Sequence, residues 1–413
     1  MKVKIIGAGF SGLTLAYFLT ESGTKPKDIQ IIEKSSSVGG LIQSHVMDGY
    51  LVETAANAIL GNHELEKMCS RIGIQILPHL KSSKRRFIFV DGPKQFPLPW
   101  FHFFFVMIPF LLKFIFIRQG ILPKRQETIP QWVRRNLSER FLNHLIAPGL
   151  QGVYGGNTEN LSATLILKRI LTRHKGPTRS QNPDLRGSVS FEKGLGEFLN
   201  KTADYLKQNQ VQISLNQNYT ADDLKTDLAN KISVVLCVHA HAASKILKDY
   251  DTQISSQLKN LNYNDLVSVT VLTEMHTSSA KDKTIQGFGV LFPWDQKFNS
   301  LGVLFPNWIF QGRGPKQHET WILPSADRDS DELILNQIQS DRARLMNTLQ
   351  TITTSHIYRW PEAIPSYDLN LELFLETWSQ KKPVFLHGNY LGEIGLGKIL
   401  CKSKALAEII QAG

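Results

Sequence analysis

A glycine-rich turn near the N-terminus constrains the fold of this chain more than any other stretch. Residues 3–6 form an apolar run, which predicts a β-strand, and Gly7, Gly9 and Gly12 follow it in the spacing G-x-G-x-x-G before a helical pattern begins. The first glycine permits a tight turn, the second lets a pyrophosphate approach bare backbone, and the third lets the helix pack against the strand. The pattern predicts a dinucleotide-binding βαβ unit with the pyrophosphate at the helix N-terminus.

The acidic residue after the second predicted strand supports this interpretation. Residues 29–32 predict a buried strand that ends at Glu33, 21 residues after Gly12, where such a unit places the carboxylate that binds a ribose hydroxyl. An acid there favours a ribose without a phosphate. The alternative is a solvated glutamate beside an ordinary turn, but the shared register of strand, glycines, helix and acid favours the nucleotide site.

Two further glycine-containing stretches indicate which dinucleotide binds. Gly39 and Gly40 let the chain fold back beside the pyrophosphate, as in two-dinucleotide-type flavoproteins. A predicted strand at 384–386 leads through Gly388 to a second helix start at Gly395, whose backbone donors can stabilise a reduced, anionic flavin. No second complete G-x-G-x-x-G occurs, so the sequence favours an oxidase whose organic substrate supplies the electrons.

The net charge and the cysteine content limit which partners and which cellular compartment we expect for the protein. The formal net charge of +11 indicates an acidic partner or simply a basic surface, and nucleic acid ranks last because no helix-turn-helix, zinc-finger or RNP-like motif is present. The three cysteines, Cys69, Cys237 and Cys401, lack C-x-x-C spacing, which argues against a disulfide framework or a zinc site. With no secretory signal before the first strand, we expect a cytoplasmic protein.

Two neighbouring segments have alternative interpretations. The cations at 81–86 precede an apolar run, and they are either a solvated loop or a clamp for a substrate carboxylate. The segment from Phe96 to Ile117 is rich in phenylalanine, but its apolar core at 103–112 is shorter than the roughly twenty residues that a spanning helix needs. Flanking cations suit a segment in a membrane interface, and a buried hairpin or a tunnel wall is the alternative.

Several sequence blocks occur in an order that is similar to one known family. They are IIGAGFSGLTLAYFL, VGG at Val38, RRFIFVDGPKQFPLP at Arg85, GLQGVYGGNTENLS at Gly149, GFGVLFP at Gly287, IFQGRGP at Ile309, RWPEAIPSY at Arg359 and HGNYLGEIGLGK at His387. The chain resembles the oxygen-dependent protoporphyrinogen oxidases of the flavin amine oxidase superfamily. The resemblance implies an FAD enzyme that removes six electrons from protoporphyrinogen, with O2 taking them as H2O2. It also implies a monotopic protein whose helical, membrane-binding domain falls at the Phe-rich segment.

The resemblance assigns roles to individual residues. Arg86 matches an arginine that pairs with a substrate propionate, Leu291 and Phe310 match residues that sandwich the macrocycle, and Gly152 lies where backbone approaches the substrate. We expect no catalytic side chain and no metal site, because flavin N5 accepts the hydride. The expected cofactor-binding residues are Gly7, Gly9, Phe10, Ser11, Gly12, Glu33, Lys34, Gly39, Gly40, Asn57, Trp360, Gly388, Glu393, Ile394, Gly395 and Leu396.

The pattern of elements and the resemblance together predict an α/β fold. It has a Rossmann-type FAD-binding domain built from discontinuous segments, and an α+β substrate domain with an antiparallel sheet. We expect the FAD-binding domain at 1–80, 186–248 and 356–413, the substrate domain at 81–92 and 249–355, and a helical, Phe-rich membrane-associated lobe at 93–185.

Three short stretches of the sequence depart from the family pattern. The block E-x-G-P-N reads ETAAN at 53–57, Glu393 stands where a glycine usually lies near the isoalloxazine, and Pro324 with Ser325 replaces a glycine pair. These changes concern flavin geometry, turnover or substrate, and they leave the ADP end intact.

The expected function is an FAD-dependent oxidase that acts on a tetrapyrrole-type substrate in haem biosynthesis, with O2 or another electron acceptor. We expect peripheral association with the inner face of a membrane, and a homodimer is compatible with the sequence. One alternative is an amine oxidase or carotenoid-type desaturase, for which the Arg86 guanidinium would have no use. The other is a non-catalytic flavin- or porphyrin-binding protein, which Ala55, Ala56 and Glu393 motivate.

Overall fold

A computed structural model describes residues 2–96, 118–137, 139, 142, 146–156, 158–171, 178–273, 285–324, 329–346, 352–380 and 382–412. The chain divides into two compact units. The first consists of Met1–His79, Lys175–Leu261 and Leu373–Gly413, and the second consists of Leu80–His174 and Asn262–Glu372. The first unit is therefore discontinuous in sequence.

The first unit combines parallel strands, helices and two small antiparallel sheets. With elements numbered in chain order, its members are β1 (Val3–Ile6), α1 (Phe10–Glu21), β2 (Ile29–Ile32), β3 (Ser44–Met47), β4 (Tyr50–Glu53), β5 (Ile59–Leu60), α2 (His63–Ile72), β6 (Leu77–Pro78), β9 (Ser188–Ser190), α7 (Leu195–Gln208), β10 (Gln212–Ser214), α8 (Ala221–Ala229), β11 (Ser233–Leu236), α9 (Ala240–Leu247), α10 (Thr252–Lys259), β17 (Val384–Leu386) and α14 (Leu396–Ala412).

Its main sheet has five parallel strands in the order β10-β2-β1-β11-β17. The strands are short and mostly apolar, as in VKII of β1 and SVVL of β11, because helices cover a parallel sheet on both faces. β3 pairs with β4, and β9 lies between β5 and β6 in a three-stranded sheet. This arrangement confirms the predicted α/β, Rossmann-type fold.

A buried polar chain joins α1 to α14 in the core of the first unit. His387 Nε2 lies 2.8 Å from Ser403 Oγ, which in turn lies 2.8 Å from Thr14 Oγ1. The Thr14 hydroxyl donates to the carbonyl oxygen of Phe10. Burial, helped by the charge of Lys402, lowers the pKa of His387 to about 3, so this imidazole is neutral in the folded protein at ordinary pH.

The second unit is built on one large sheet with helices around it. Its elements are β7 (Arg86–Phe89), β8 (Pro93–Phe96), α3 (Arg118–Ile121), α4 (Ile129–Asn136), α5 (Ala147–Tyr154), α6 (Ala163–Leu171), β12 (Tyr263–Thr273), β13 (Gly289–Leu291), β14 (Gly302–Leu304), α11 (Pro306–Ile309), β15 (Glu319–Leu323), α12 (Asp331–Met346) and β16 (Ile352–Pro365). The boundary between the units falls within α13 (Leu369–Thr377).

The seven strands of this sheet run in the order β16-β12-β15-β14-β13-β7-β8, and its two faces differ. All pairs are antiparallel except β7 and β13. One face packs valines of β12 and Trp321 against the buried side of α12. The opposite face is here named the α5 face. Alternation along the strands places on it Arg86, Ile88, Lys94, Leu266, Ser268, Leu291, Leu304 and Ile322.

The structure differs from the sequence-based expectations in one strand and in the domain boundaries. The strand β16 was not expected, because it lies at the edge of the sheet and its burial does not alternate. Residues 356–372 were expected in the FAD-binding domain, but they belong to the second unit. Residues 249–261, which include α10, were expected in the substrate domain, but they belong to the first unit, where Ser244 and Ser255 hydrogen-bond. The described residues between 93 and 171 belong to the second unit and those between 178 and 185 to the first, and the helical lobe at 93–185 stays a prediction. The Phe-rich segment at 97–117 lies outside the described residues.

Within the described ranges, no helix is both long enough and apolar enough to cross a membrane.

Acid should destabilise the protein through His387, because the unfolded histidine takes up a proton near pH 6.5 and the folded one only near pH 3. The unfolded state therefore binds more protons between these values, and stability falls as the pH is lowered through this window. The expected loss is about 1.4 kcal/mol per pH unit for each such group. Urea unfolding at several pH values should show a shallower dependence in His387→Asn than in the wild type. The exposed-site variant His45→Asn should keep the wild-type dependence, and equal slopes in all three proteins would contradict the assignment.

Candidate functional site

The glycine-rich turn lies at the carboxyl end of β1 and begins α1. Gly9 is the N-cap of this helix, and no side chain caps it. A Cβ at Gly12 would lie 1.9 Å from the carbonyl oxygen of Gly7, whereas a Cβ at Gly9 would meet no atom within 4 Å. The turn is therefore closely packed on its inner side and open at Gly9, which is what a pyrophosphate needs to reach the helix N–H groups.

Glu33 follows β2 and is held against this turn by backbone donors. Its Oε2 accepts a 2.7 Å hydrogen bond from the N–H of Ala8, and its Oε1 accepts one of 2.8 Å from the N–H of Ser35. The side chain is 7% exposed. Because each carboxylate oxygen has a further lone pair, the fixed carboxylate can also accept from the hydroxyls of a ribose.

The Gly39–Gly40 pair packs against the same turn. Gly39 forms a parallel bridge with Gly9, and its N–H donates to the carbonyl oxygen of Ala8 at 2.9 Å. The φ angles of the pair are 105° and 60°, in the region that favours glycine. A Cβ at Gly40 would lie 3.5 Å from Gly9 Cα. The two glycine motifs therefore form one cradle of bare backbone.

The C-terminal segment supplies a second helix start. Gly395 precedes α14, its carbonyl oxygen accepts from the N–H groups of Lys398 and Ile399, and a Cβ there would meet no atom within 4 Å. Glu393 is buried, and its Oε2 lies 3.2 Å from Lys398 Nζ. Glu393 stands where the family usually has a glycine, and its negative charge is therefore compensated by Lys398 on the first turn of α14.

The remaining predicted cofactor residues take different positions. Phe10 is buried and its ring packs on Phe198 at a centroid distance of 6.1 Å, so only its backbone faces the helix start. Asn57 is half-buried and donates to the carbonyl oxygen of Ala55 at 3.3 Å. Trp360 lies on β16 in the second unit, opposite Leu266 of β12. The other predicted residues are Ser11, Ile394, Leu396 and Gly388, which are half-buried, and Lys34, which is exposed.

The second unit brings three of the four predicted substrate residues to the α5 face. Leu291 lies on β13, and a Cβ at Gly152 of α5 would be 2.6 Å from its Cδ2. Arg86 begins the adjacent strand β7, is exposed, and has its Cζ 4.8 Å from the Phe288 ring centroid. Phe310 is only 2% exposed and lies under Arg313, whose Cζ is 5.0 Å from its ring centroid. Its role in the substrate slot stays a prediction.

Two residues of these regions were not assigned to a binding site from the sequence, where Lys94 was expected only as one of the cations that flank the Phe-rich segment. Glu53 accepts from the N–H of Leu195 at 2.9 Å and from the Ser44 hydroxyl at 2.5 Å, so it caps α7. Lys94 stands opposite Ile88 in the β7–β8 hairpin and therefore shares the α5 face with Arg86. The turn sequence DGP between two short β-runs predicts this hairpin, and pairing the runs would have found the lysine.

No group of three or more His, Cys, Asp or Glu side chains in the described part of the chain could hold a metal ion.

A family model and several known proteins are similar to this chain. The model of the flavin containing amine oxidoreductases matches residues 10–393. The chain is 26% identical to chloroplastic protoporphyrinogen oxidase 1 of Spinacia oleracea, covering 96% of this chain and 81% of the relative. It is 21% identical to coproporphyrinogen III oxidase of Bacillus subtilis, covering 98% and 96%. A solved structure from Exiguobacterium sp. 255-15, provisionally assigned as a protoporphyrinogen oxidase, superposes with a TM-score of 0.76 at 17% identity over 100% and 98% of the two chains.

Replacing Gly9 by alanine should separate cofactor binding from folding. The backbone at Gly9 is extended and has room for a Cβ, so the apoprotein should keep its Tm, while the methyl group should hold the pyrophosphate away. We expect Gly9→Ala to raise the Kd for FAD about tenfold or more, measured by quenching of flavin fluorescence in the apoprotein. Gly12→Ala should instead lower the Tm, because its Cβ collides with backbone. An unchanged Kd in Gly9→Ala would contradict the assignment of the cradle.

Proposed function

Because this chain belongs to the flavin-containing amine oxidoreductase family and is an FAD-dependent oxidoreductase, we propose that it oxidises protoporphyrinogen IX to protoporphyrin IX. The proposed setting is haem biosynthesis, and the proposed electron acceptor is O2. In the balanced overall reaction, the substrate loses six hydrogen atoms and three O2 are reduced to three H2O2. The ordered sequence blocks and the porphyrinogen oxidases among the relatives support the proposal.

The first unit has the groups that would hold FAD. The Gly9–Gly39 cradle and the start of α1 would bind the pyrophosphate, Glu33 the ribose, and the start of α14 the flavin end. Bound FAD supplies a two-electron acceptor for a hydride from the substrate. The proton that leaves a ring N–H with each hydride would pass to water, and we assign to the protein only the binding and orientation of the substrate.

The α5 face offers the apolar surface that a tetrapyrrole macrocycle needs. Its aliphatic side chains Leu266, Leu291, Leu304 and Ile322 are only half-buried. Gly302 lies between Leu291 and Ile322 in one cross-strand row, so no side chain projects from the sheet at this point. A tetrapyrrole laid on this face would bury these side chains, which favours binding by roughly 25 cal/mol per Å² of apolar area.

Two cations stand at one end of this face. Arg86 and Lys94 lie on the paired strands β7 and β8, both are exposed, and no ion pair joins either of them to an acidic side chain in the described ranges. Protoporphyrinogen carries two propionates, and a guanidinium or ammonium group binds a carboxylate by charge-assisted hydrogen bonds. This pairing of cations with a half-buried apolar surface is the observation that carries the proposal. An uncharged amine or hydrocarbon would leave both cations unused.

Arg86→Ala should weaken substrate binding and leave the flavin unaffected. We expect the KM for protoporphyrinogen to rise about tenfold, the value of one lost charge-assisted hydrogen bond, with kcat within about twofold of the wild type. The assay follows the fluorescence of protoporphyrin formed under air by the FAD-loaded enzyme. Lys84→Ala, an exposed cation outside the α5 face, is the matched control and should keep the wild-type KM.

The outcomes of this assay separate the alternatives. A flavin-loaded wild type that gives no fluorescent product would refute the proposed function, and coproporphyrinogen III, tested beside it, would show whether another porphyrinogen is preferred. Anaerobic substrate that fails to bleach the flavin would instead indicate a carrier protein. Equal KM values for Arg86→Ala and the wild type would refute the carboxylate clamp alone.

We also propose that the Phe-rich segment after β8 contacts a membrane surface from the cytoplasmic side. The proposal is supported by the composition of the segment and by the exposed cations Lys124 and Arg125 in the same unit. Wild type should float with vesicles of anionic phospholipid. Replacing Phe103, Phe104 and Phe105 by serine should abolish flotation, since each buried ring contributes roughly 1.5–3 kcal/mol. Flotation that persists in this variant would exclude the segment as the contact.

A further inference from the structure

Helix α5 carries a buried carboxamide that has no hydrogen-bond partner among the described residues. Gln151 is 1% exposed, and neither its Nε2 nor its Oε1 is within hydrogen-bonding distance and geometry of another polar group. Burying an amide in this way costs free energy, because its bonds to water are lost and nothing replaces them. A methionine would have a similar volume without that cost, so folding alone does not account for glutamine at this position.

Gln151 directly precedes the residues at which α5 approaches the α5 face. The next residue, Gly152, approaches Leu291 so closely that a Cβ would be 2.6 Å from its Cδ2. Gly155, one turn further along, approaches Leu266, where a Cβ would be 3.0 Å from Cδ1. Residues four apart are neighbours on a helix surface, so Gln151 lies one turn before Gly155, next to the part of α5 that contacts the sheet.

A second unpartnered group belongs to the same face. Ser268 of β12 is 4% exposed, and its hydroxyl has no hydrogen-bond partner in the part of the chain that the structure describes. The strand register places it in one cross-strand row with Ile322, Gly302 and Leu291. The apolar surface that the proposed function assigns to the macrocycle therefore contains two buried polar groups, one on the helix above it and one on the sheet.

We propose that the Gln151 carboxamide and the Ser268 hydroxyl form a polar subsite for the ring nitrogens of a tetrapyrrole. The proposal rests on the proposed function and deepens it. A porphyrinogen presents four pyrrole N–H donors, and a porphyrin presents two N–H donors and two nitrogen acceptors. A carboxamide and a hydroxyl each offer both donor and acceptor, so they can bind the ring in either oxidation state. A hydrocarbon substrate would leave both groups unpaired.

The test compares porphyrin binding with stability in the FAD-loaded protein. Protoporphyrin IX and an N-methylated protoporphyrin are titrated by fluorescence into the wild type, Gln151→Met and Ser268→Ala. We expect Gln151→Met to raise the Kd for protoporphyrin about tenfold and Ser268→Ala about threefold, with the Tm unchanged or higher. The wild type should prefer protoporphyrin to its N-methylated form, and Gln151→Met should lose most of that preference, which a purely structural role of the amide would not change.

Matched controls come from the first unit. Ser190→Ala removes a buried hydroxyl that also has no partner, and Gln257→Met removes an amide whose Oε1 is buried without one. Both variants should keep the wild-type Kd for each porphyrin. If Gln151→Met does not fold, Gln151→Leu and Ser268→Ala decide the matter in the same assay.

The possible results distinguish this inference from the proposed function. Wild-type affinities and wild-type discrimination in the Gln151 and Ser268 variants would overturn the subsite, while Arg86→Ala still weakened binding of both porphyrins. Failure of the wild type to bind any porphyrin would overturn the proposed function and the subsite together. Equal losses in the control variants would also overturn the subsite, because the effect would then follow from any buried polar group.

Discussion

The close approach of α1 to β1 is the constraint on which the first unit depends. Gly12 has no room for a side chain beside the Gly7 carbonyl oxygen, so the helix can begin directly at the strand end. That position directs the N–H groups of α1 outward past Gly9, and it fixes where Gly39 and Glu33 must lie. The carboxylate of Glu33 and the N–H of Gly39 both bond to Ala8, within the same turn. One steric limit therefore organises the whole ADP end.

The second unit uses the same device for a different purpose. Gly152, Gly155 and Gly156 let α5 approach the sheet closely, since a Cβ at each position would lie within 3.0 Å of Leu291, Leu266 or Asn264. The Nδ2 of Asn264 then donates to the carbonyl oxygen of Tyr154 at 2.9 Å. Gln151 is buried next to these glycines, and the aliphatic side chains of the α5 face are half-buried. The proposed apolar surface and the proposed polar subsite thus adjoin the same helix.

The sequence was a good guide wherever a motif is local. The turn at Gly7, the strand before Glu33 and the helix after Gly395 all depend on neighbouring residues, and each predicted element is present. It failed for β16, an edge strand without alternating burial, whose partner β12 is far away in the sequence. Gln151 and Ser268 could not be identified either. Their importance depends on the absence of a partner, which only the three-dimensional packing of α5 and the sheet reveals.

The polar chain from His387 through Ser403 to Thr14 has a consequence for how the protein is made. Thr14 and Ser403 are 389 residues apart, and β1 pairs directly with β11, whose strand begins at Ser233. Contacts this distant in the sequence form slowly, because a long loop must close before they contribute. The second unit consists of two segments that are synthesised before α14. The start of α14, which we propose to hold the flavin end of the cofactor, is therefore synthesised only after both segments of the second unit.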